Sequence, residues 1–120
     1  MIDVHVKRIY EQPARSDGKR VLVDRMWPRG LKREDAHLDA WIKEVAPSDA
    51  LRRWFGHDPE KWAKFQARYI AELRKNAAVD ELRETIASSK SVTLLFAAKD
   101  SLHNNAIVLR DFLRDDAASS

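Results

Sequence analysis

Cysteine is absent from the 120 residues. Disulfides, thiolate metal sites and cysteine nucleophiles are therefore excluded. Glycine occurs three times, too rarely for the glycine-rich loops that cradle dinucleotides or nucleoside triphosphates. No apolar run approaches the roughly 20 residues of a membrane-spanning helix, and no apolar secretory segment follows Met1. A cytoplasmic protein with no membrane attachment is expected. No serine lies in a nucleophile-elbow pattern, and no pair among the four histidines has the spacing of a local zinc motif. Neither a metal nor a cofactor is expected. Repeats, low-complexity tracts and internal linkers are missing as well.

What remains is enough for one folded unit. Apolar residues make up 44% of the chain, and its length suits a single core. The 22 basic and 19 acidic side chains leave a formal charge of +3. The imbalance is local. Residues 1–34 hold nine basic and five acidic groups, whereas residues 35–120 hold 13 and 14. Such an excess fits a solvated mixed surface or a patch that attracts an anion. It is too small for the many phosphate contacts of a broad duplex-DNA surface.

Val4, Val6 and Ile9 predict an opening strand within residues 2–10. Pro13, Ser16, Asp17 and Gly18 mark a loop, and the apolar run Arg20–Asp24 (RVLVD) reads as a buried strand. The loop is too short to hold a crossover helix, so an antiparallel pair is expected. Residues 31–46 fit either a helix or a short strand near His37–Ile42. Ser48 is a cap for a helix that Gly56 ends, and Asp58 with Pro59 starts another. Trp62, Phe65, Tyr69 and Leu73 give that second helix one buried stripe. Val79, Leu82 and Ile86 indicate a shorter helix. Val92–Ala97 (VTLLFA) reads as a central strand, and Leu102, Ala106, Leu109 and Leu113 mark a last helix. The fold class is α/β: a small sheet with helices packed on it, one compact domain over residues 1–114, with 115–120 as a frayed tail.

Two polar segments follow the most strand-like runs: Asp24–Gly30 (DRMWPRG) and Lys99–Asn105 (KDSLHNN). Ligands of α/β sheets bind beyond the carboxyl ends of strands, so parallel neighbours would bring both segments to one edge. Arg25 and Arg29 offer planar charged forks for phosphate or carboxylate. Lys99 adds a point charge, Trp27 a stacking or shielding face, and Asn104 a polar amide. Asp24 and His103 are the candidate acid/base groups. A purely structural role competes at each position. Asp24 and Arg25 would pair with each other or a nearby helix, Trp27 and Pro28 would plug the core, and Asn104 or Asn105 would cap a helix. His57 would close the helix before it.

Arg20–Leu31 (RVLVDRMWPRGL), Ala46–Ser48 (APS), Leu51–Phe55 (LRRWF), His57–Asp58, Phe65–Leu73 (FQARYIAEL), Val92–Asp100 (VTLLFAAKD) and His103–Leu113 (HNNAIVLRDFL) resemble the DUF488 family in its YeaO-like branch. The resemblance implies a small single-domain bacterial or archaeal α/β protein without a settled activity. Other branches carry a C-H-R motif after the last strand. Lys99-Asp100 and His103-Asn104-Asn105 occupy that region here, so thiol chemistry does not transfer. Labels of methyltransferase or regulator carried by some relatives find neither a glycine-rich loop nor a helix-turn-helix.

The expected function is binding of a phosphate-bearing ligand, a nucleotide or nucleic-acid end. Arg25 and Arg29 would hold the anion, Trp27 would stack, and Lys99, His103 and Asn104 would complete the pocket. The alternatives are an enzyme acting on a phosphate or glycosidic bond through Asp24 or His103, and a structural or partner-binding protein. Oligomeric state is left open.

Overall fold

Four short strands line up in one direction. The computed structural model describes residues 3–119, with side chains through Asp115. The strands are β1 (Val4–Arg8), β2 (Lys19–Leu22), β3 (Ala40–Trp41) and β4 (Val92–Phe96). They form an all-parallel sheet in the order β1-β4-β2-β3. β4 is the last strand in sequence and a middle one in space. Its run VTLLF is buried on both faces, as a continuous apolar strand requires.

The expected antiparallel β1–β2 pair is corrected: β4 lies between the two strands and runs parallel to both. No helix is needed for this return. A five-residue strand spans about 17 Å, and a ten-residue extended connection reaches about 33 Å. The 9–18 connection returns as irregular chain with one 3-10 turn, Arg15–Asp17.

Five α-helices accompany the sheet: α1 (Arg33–Ala36), α2 (Asp49–Phe55), α3 (Trp62–Leu73), α4 (Ala78–Ala87) and α5 (Asn105–Ser119). Val21, Val23, Val92, Leu94 and Phe96 pack on one side against Leu51, Phe55, Phe65, Tyr69, Leu82 and Leu109. The alternate side chains Leu22 and Leu95 point the other way, into a smaller cluster with Ile9, Ala36, Trp27 and Trp41. Helices α2–α5 thus cover one face, and irregular segments with the short α1 cover the other. The ambiguous stretch 31–46 splits into α1, the short β3 and a 3-10 turn at Lys43–Val45. The caps read from sequence are present. Ser48 Oγ accepts from Leu51 N–H at 3.2 Å, and Gly56 closes α2 in the left-handed region. α5 continues as helix through Ser119, across most of the expected frayed tail; Ser120 lies outside the described residues.

The second face carries charge inside it. Arg20 is buried, and its Nη1 donates to Asp17 Oδ2 at 2.6 Å. Its Nε and Nη2 donate to the His37 and Ala36 carbonyls at 3.1 and 3.0 Å. Lys7 Nζ reaches Asp17 Oδ1 at 3.1 Å, and Thr93 Oγ1 donates to the Asp17 carbonyl at 2.7 Å. Burial pushes the Asp17 carboxyl up, but the Ala14 N–H, Lys7 and Arg20 outweigh it and hold it below 3.8. A depressed carboxyl adds stability above its unfolded value and loses it as pH falls through the folded one. Asp17→Asn leaves Arg20 uncompensated and is expected to cost about 3–5 kcal/mol at pH 7 in urea unfolding. The gap from wild type should narrow below pH 3.8; a variant as stable as wild type at pH 7 would refute this account.

Candidate functional site

A parallel sheet puts every strand's carboxyl end at the same edge. β2 and β4 are neighbours there, so the segments that follow them meet. Val23 N–H donates to the Leu95 carbonyl at 3.1 Å and continues the ladder. One residue on, the Asp24 side chain takes over: Ala97 N–H donates to its Oδ2 at 2.9 Å. Asn105 Nδ2 donates to the Val23 carbonyl at 3.1 Å and also engages the Asp24 carboxylate. Trp41 Nε1 donates to the Asp24 carbonyl at 2.7 Å. Burial raises the Asp24 carboxyl above 3.8, while Ala97 N–H, the Asn105 amide and the charge of His57 pull it back. The edge therefore holds a largely dehydrated carboxyl group, fixed in place by the Ala97 N–H and the Asn105 amide.

Two histidines sit at the ends of a row of rings. Phe55 and Phe65 stack with centroids 4.2 Å apart, and Trp62 and Tyr69 each lie 5.8 Å from Phe65. His57 tilts against Phe55 at 6.3 Å, and His103 meets Trp62 edge-on at 5.1 Å. Gly56 and His57 are consecutive left-handed residues, with φ of 53° and 57°. That conformation is strained for histidine. It turns the chain between the end of α2 and the 3-10 turn at Pro59–Lys61.

The loop before α5 is built on Asp100. Its Oδ1 accepts from Leu102 and His103 N–H at 2.9 and 3.0 Å. Its Oδ2 lies 2.8 Å from His103 Nδ1. The Leu102 N–H and the His103 ring hold this carboxyl below 3.8. Asn104 is buried. Its Oδ1 accepts from Ile107 N–H at 3.1 Å and its Nδ2 donates to the Asp100 carbonyl at 3.0 Å. It caps α5, the structural role read beside its ligand role in the sequence.

The remaining candidates go separate ways. Arg25 leans toward the start of α2: Nη2 donates to the Ala46 and Pro47 carbonyls at 3.3 and 3.4 Å, and Nε lies 3.7 Å from Asp49 Oδ1. Its charge and that of Asp24 both act on Tyr69, which donates to the Val45 carbonyl at 2.7 Å. Burial drives the Tyr69 phenol well above 10. Trp27 turns to the opposite face of the sheet. Its Nε1 donates to the Leu31 carbonyl at 2.7 Å, Trp41 packs edge-on at 5.4 Å, and Arg33 lies over its ring at 4.6 Å. Arg29 and Lys99 are exposed, and among the described residues neither side chain has a hydrogen-bond or ion-pair partner. The structure thus joins Asp24 and Asn105 directly, lets the His57 charge act on Asp24, and sends Trp27 to the other face of the sheet. Asn105, Asp100 and Tyr69 were not site candidates in the sequence. Asn105 follows a residue already singled out, but only its bond to Val23 distinguishes it from a helix cap. No group of three or more His, Asp or Glu among the described residues is arranged to hold a metal ion, and no described helix is long and apolar enough to cross a membrane.

A carboxyl NMR titration checks the electrostatics of this edge. Asp24 is expected to titrate above 3.8, and His57→Ala should move it higher still by withdrawing the imidazole charge. A value that stays put or falls in the variant would remove His57 from the site.

Comparison with known proteins gives one consistent grouping. The uncharacterized protein YeaO of Escherichia coli (strain K12) is 42% identical over 113 residues, covering 94% of this chain and 98% of the relative. The uncharacterized protein Rv3073c of Mycobacterium tuberculosis (strain ATCC 25618 / H37Rv) is 43% identical over 110 residues, 92% of each chain. The uncharacterized protein Mb3100c of Mycobacterium bovis (strain ATCC BAA-935 / AF2122/97) matches to the same extent. No solved structure matches the chain significantly. The sequence model that covers residues 3–120 is described as the inactive DUF488-N3 subclade, and with relatives of this identity along nearly its whole length the chain belongs to the DUF488 family.

Proposed function

We propose that this protein binds a phosphate-bearing ligand, a nucleotide or nucleic-acid end, at the carboxyl edge of β2 and β4 and does not turn it over. The observation that carries this reading is the under-used guanidinium of Arg25. Its Nε is shielded from solvent yet makes no hydrogen bond among the described residues, with Asp49 Oδ1 3.7 Å away, and its Nη2 bonds are long. A buried donor left unmade costs about 1–3 kcal/mol, which an anionic oxygen would recover. Arg29 and Lys99, on the two segments that meet at this edge, are free to add charge. Asp24 would accept from a hydroxyl of the same ligand, since its second oxygen is not consumed by Ala97. Trp27, packed on the far face, gives this reading no stacking platform.

The description of the matching subclade as inactive favours binding over catalysis. The rival reading, acid–base chemistry at a phosphate or glycosidic bond, draws on the raised Asp24 carboxyl and the Asp100–His103 pair. A structural brace draws on the Arg25 bonds to the Ala46 and Pro47 carbonyls.

A thermal-shift screen of nucleotides, phosphosugars and short oligonucleotides separates the three. A ligand at 100 times its Kd adds about 2.7 kcal/mol, a Tm rise of roughly 10 °C for a chain of this size. Arg29→Ala, an exposed position, should melt like wild type but lose most of that rise, with the ligand recovered unchanged. Turnover would favour the enzyme. No shift with any ligand class would sink the binding reading.

A further inference from the structure

The opposite edge of the sheet, where the strands begin, carries a second basic feature. An open depression of about 460 Å³ lies there, lined among others by His5, Arg15, Gly18, Lys19, Lys90 and Ser91. Its three permanent cations come from three separate segments. Arg15 sits in the 3-10 turn, Lys19 opens β2, and Lys90 lies in the turn from α4 to β4. Among the described residues, none of the three side chains has an acceptor. Asp17, the acidic group nearest in sequence, is turned inward and spent on Lys7 and Arg20. Asp3, the acidic residue of the lining, is paired with the His5 imidazole.

The backbone beneath is locked. Lys19 N–H donates to the Ser91 carbonyl at 2.9 Å, and Val92 N–H donates to the Asp3 carbonyl at 3.1 Å. Gly18 has φ +63°, and a Cβ there would lie 2.2 Å from the Ser91 carbonyl oxygen. Only glycine lets the Arg15–Lys19 turn press against the chain that carries Lys90. Folding therefore gathers three cations around one hollow against one lining carboxylate, Asp3, and the net positive charge favours entry of an anion. The Ser16 and Ser91 hydroxyls also line the hollow and have no partner among the described residues, so they can donate to oxygen.

We propose that this amino-edge depression is a second anion site, separate from the carboxyl edge, that takes a compact multiply charged phosphate through Arg15, Lys19 and Lys90. Lysine and arginine from a rigid frame suit such a group: the ammonium as a point charge, the guanidinium as a fork. The site stands independently of the function proposed above, because it shares no residue with that edge.

The test is an amide NMR titration of the full chain with inorganic tripolyphosphate, against sodium chloride at matched ionic strength. Saturable shifts are expected at Gly18, Lys19 and Ser91 with the phosphate alone. The double variant Arg15→Gln/Lys90→Gln should raise the midpoint at least tenfold. Both positions are solvent-exposed, so that variant should melt no lower than wild type without phosphate. Shifts that fail to saturate, that sodium chloride reproduces, or that persist in the double variant would overturn the proposal. Saturable shifts confined to residues 24–30 and 99–105 would overturn it and leave the carboxyl-edge site standing. Shifts at the amino edge alone would do the reverse.

Discussion

One buried guanidinium organises the half of the molecule that has no long helix to cover it. Arg20 points from β2 into the second face of the sheet, where desolvating a charge is expensive unless it is fully paired. Asp17 supplies the charge, and the carbonyls of Ala36 and His37 accept from Nη2 and Nε. Those partners lie before and after β2 in sequence. Meeting them pulls the 9–18 return and the α1–β3 segment onto the same face. The apolar cluster of Ile9, Leu22, Ala36 and Leu95 then closes beside them. Without this ion pair the second face would be an exposed apolar sheet surface.

The same topology sorts the chemistry of the molecule by edge. Parallel strands put like ends together, so Asp24, Asn105 and the Asp100–His103 loop gather where β2 and β4 finish. Arg15, Lys19 and Lys90 gather where strands begin. A five-residue strand separates the two by about 17 Å. The basic excess of the first 34 residues is thereby divided. Lys7 and Arg20 go to the interior pair with Asp17, Arg15 and Lys19 to the amino edge, and Arg25 and Arg29 to the segment beyond the carboxyl edge.

The carboxyl edge is held by hydrogen bonds from the strands and loops that meet there. Asp24 replaces a ladder carbonyl as acceptor for Ala97, so its position follows from the sheet itself. The Asp100 turn fixes His103, and Asn104 caps α5 beneath it. The Lys99–Asn105 region thus spends its Asp100 and Asn104 side chains on the loop and on the start of α5.

Local chemistry was legible without coordinates. Ser48, Gly56 and the Trp62–Leu73 stripe mark their helices because caps and a 3.6-residue period act over a few residues. Val92–Phe96 declares a central strand by being apolar or β-branched at every position. The pairing of β1 and β2 was not legible, because the strand that separates them lies some seventy residues further along. Nor was the direction of Trp27, which only the packing of Trp41 and Arg33 decides. Outside residues 31–46, the sequence by itself determined which segments become helix or strand, and that two polar segments follow buried strands. Only the tertiary structure decided that these segments are neighbours, and that Asp24, Asn105 and His57 share an edge while Trp27 does not. Strand order and side-chain facing depend on contacts between distant residues, and no local pattern encodes them.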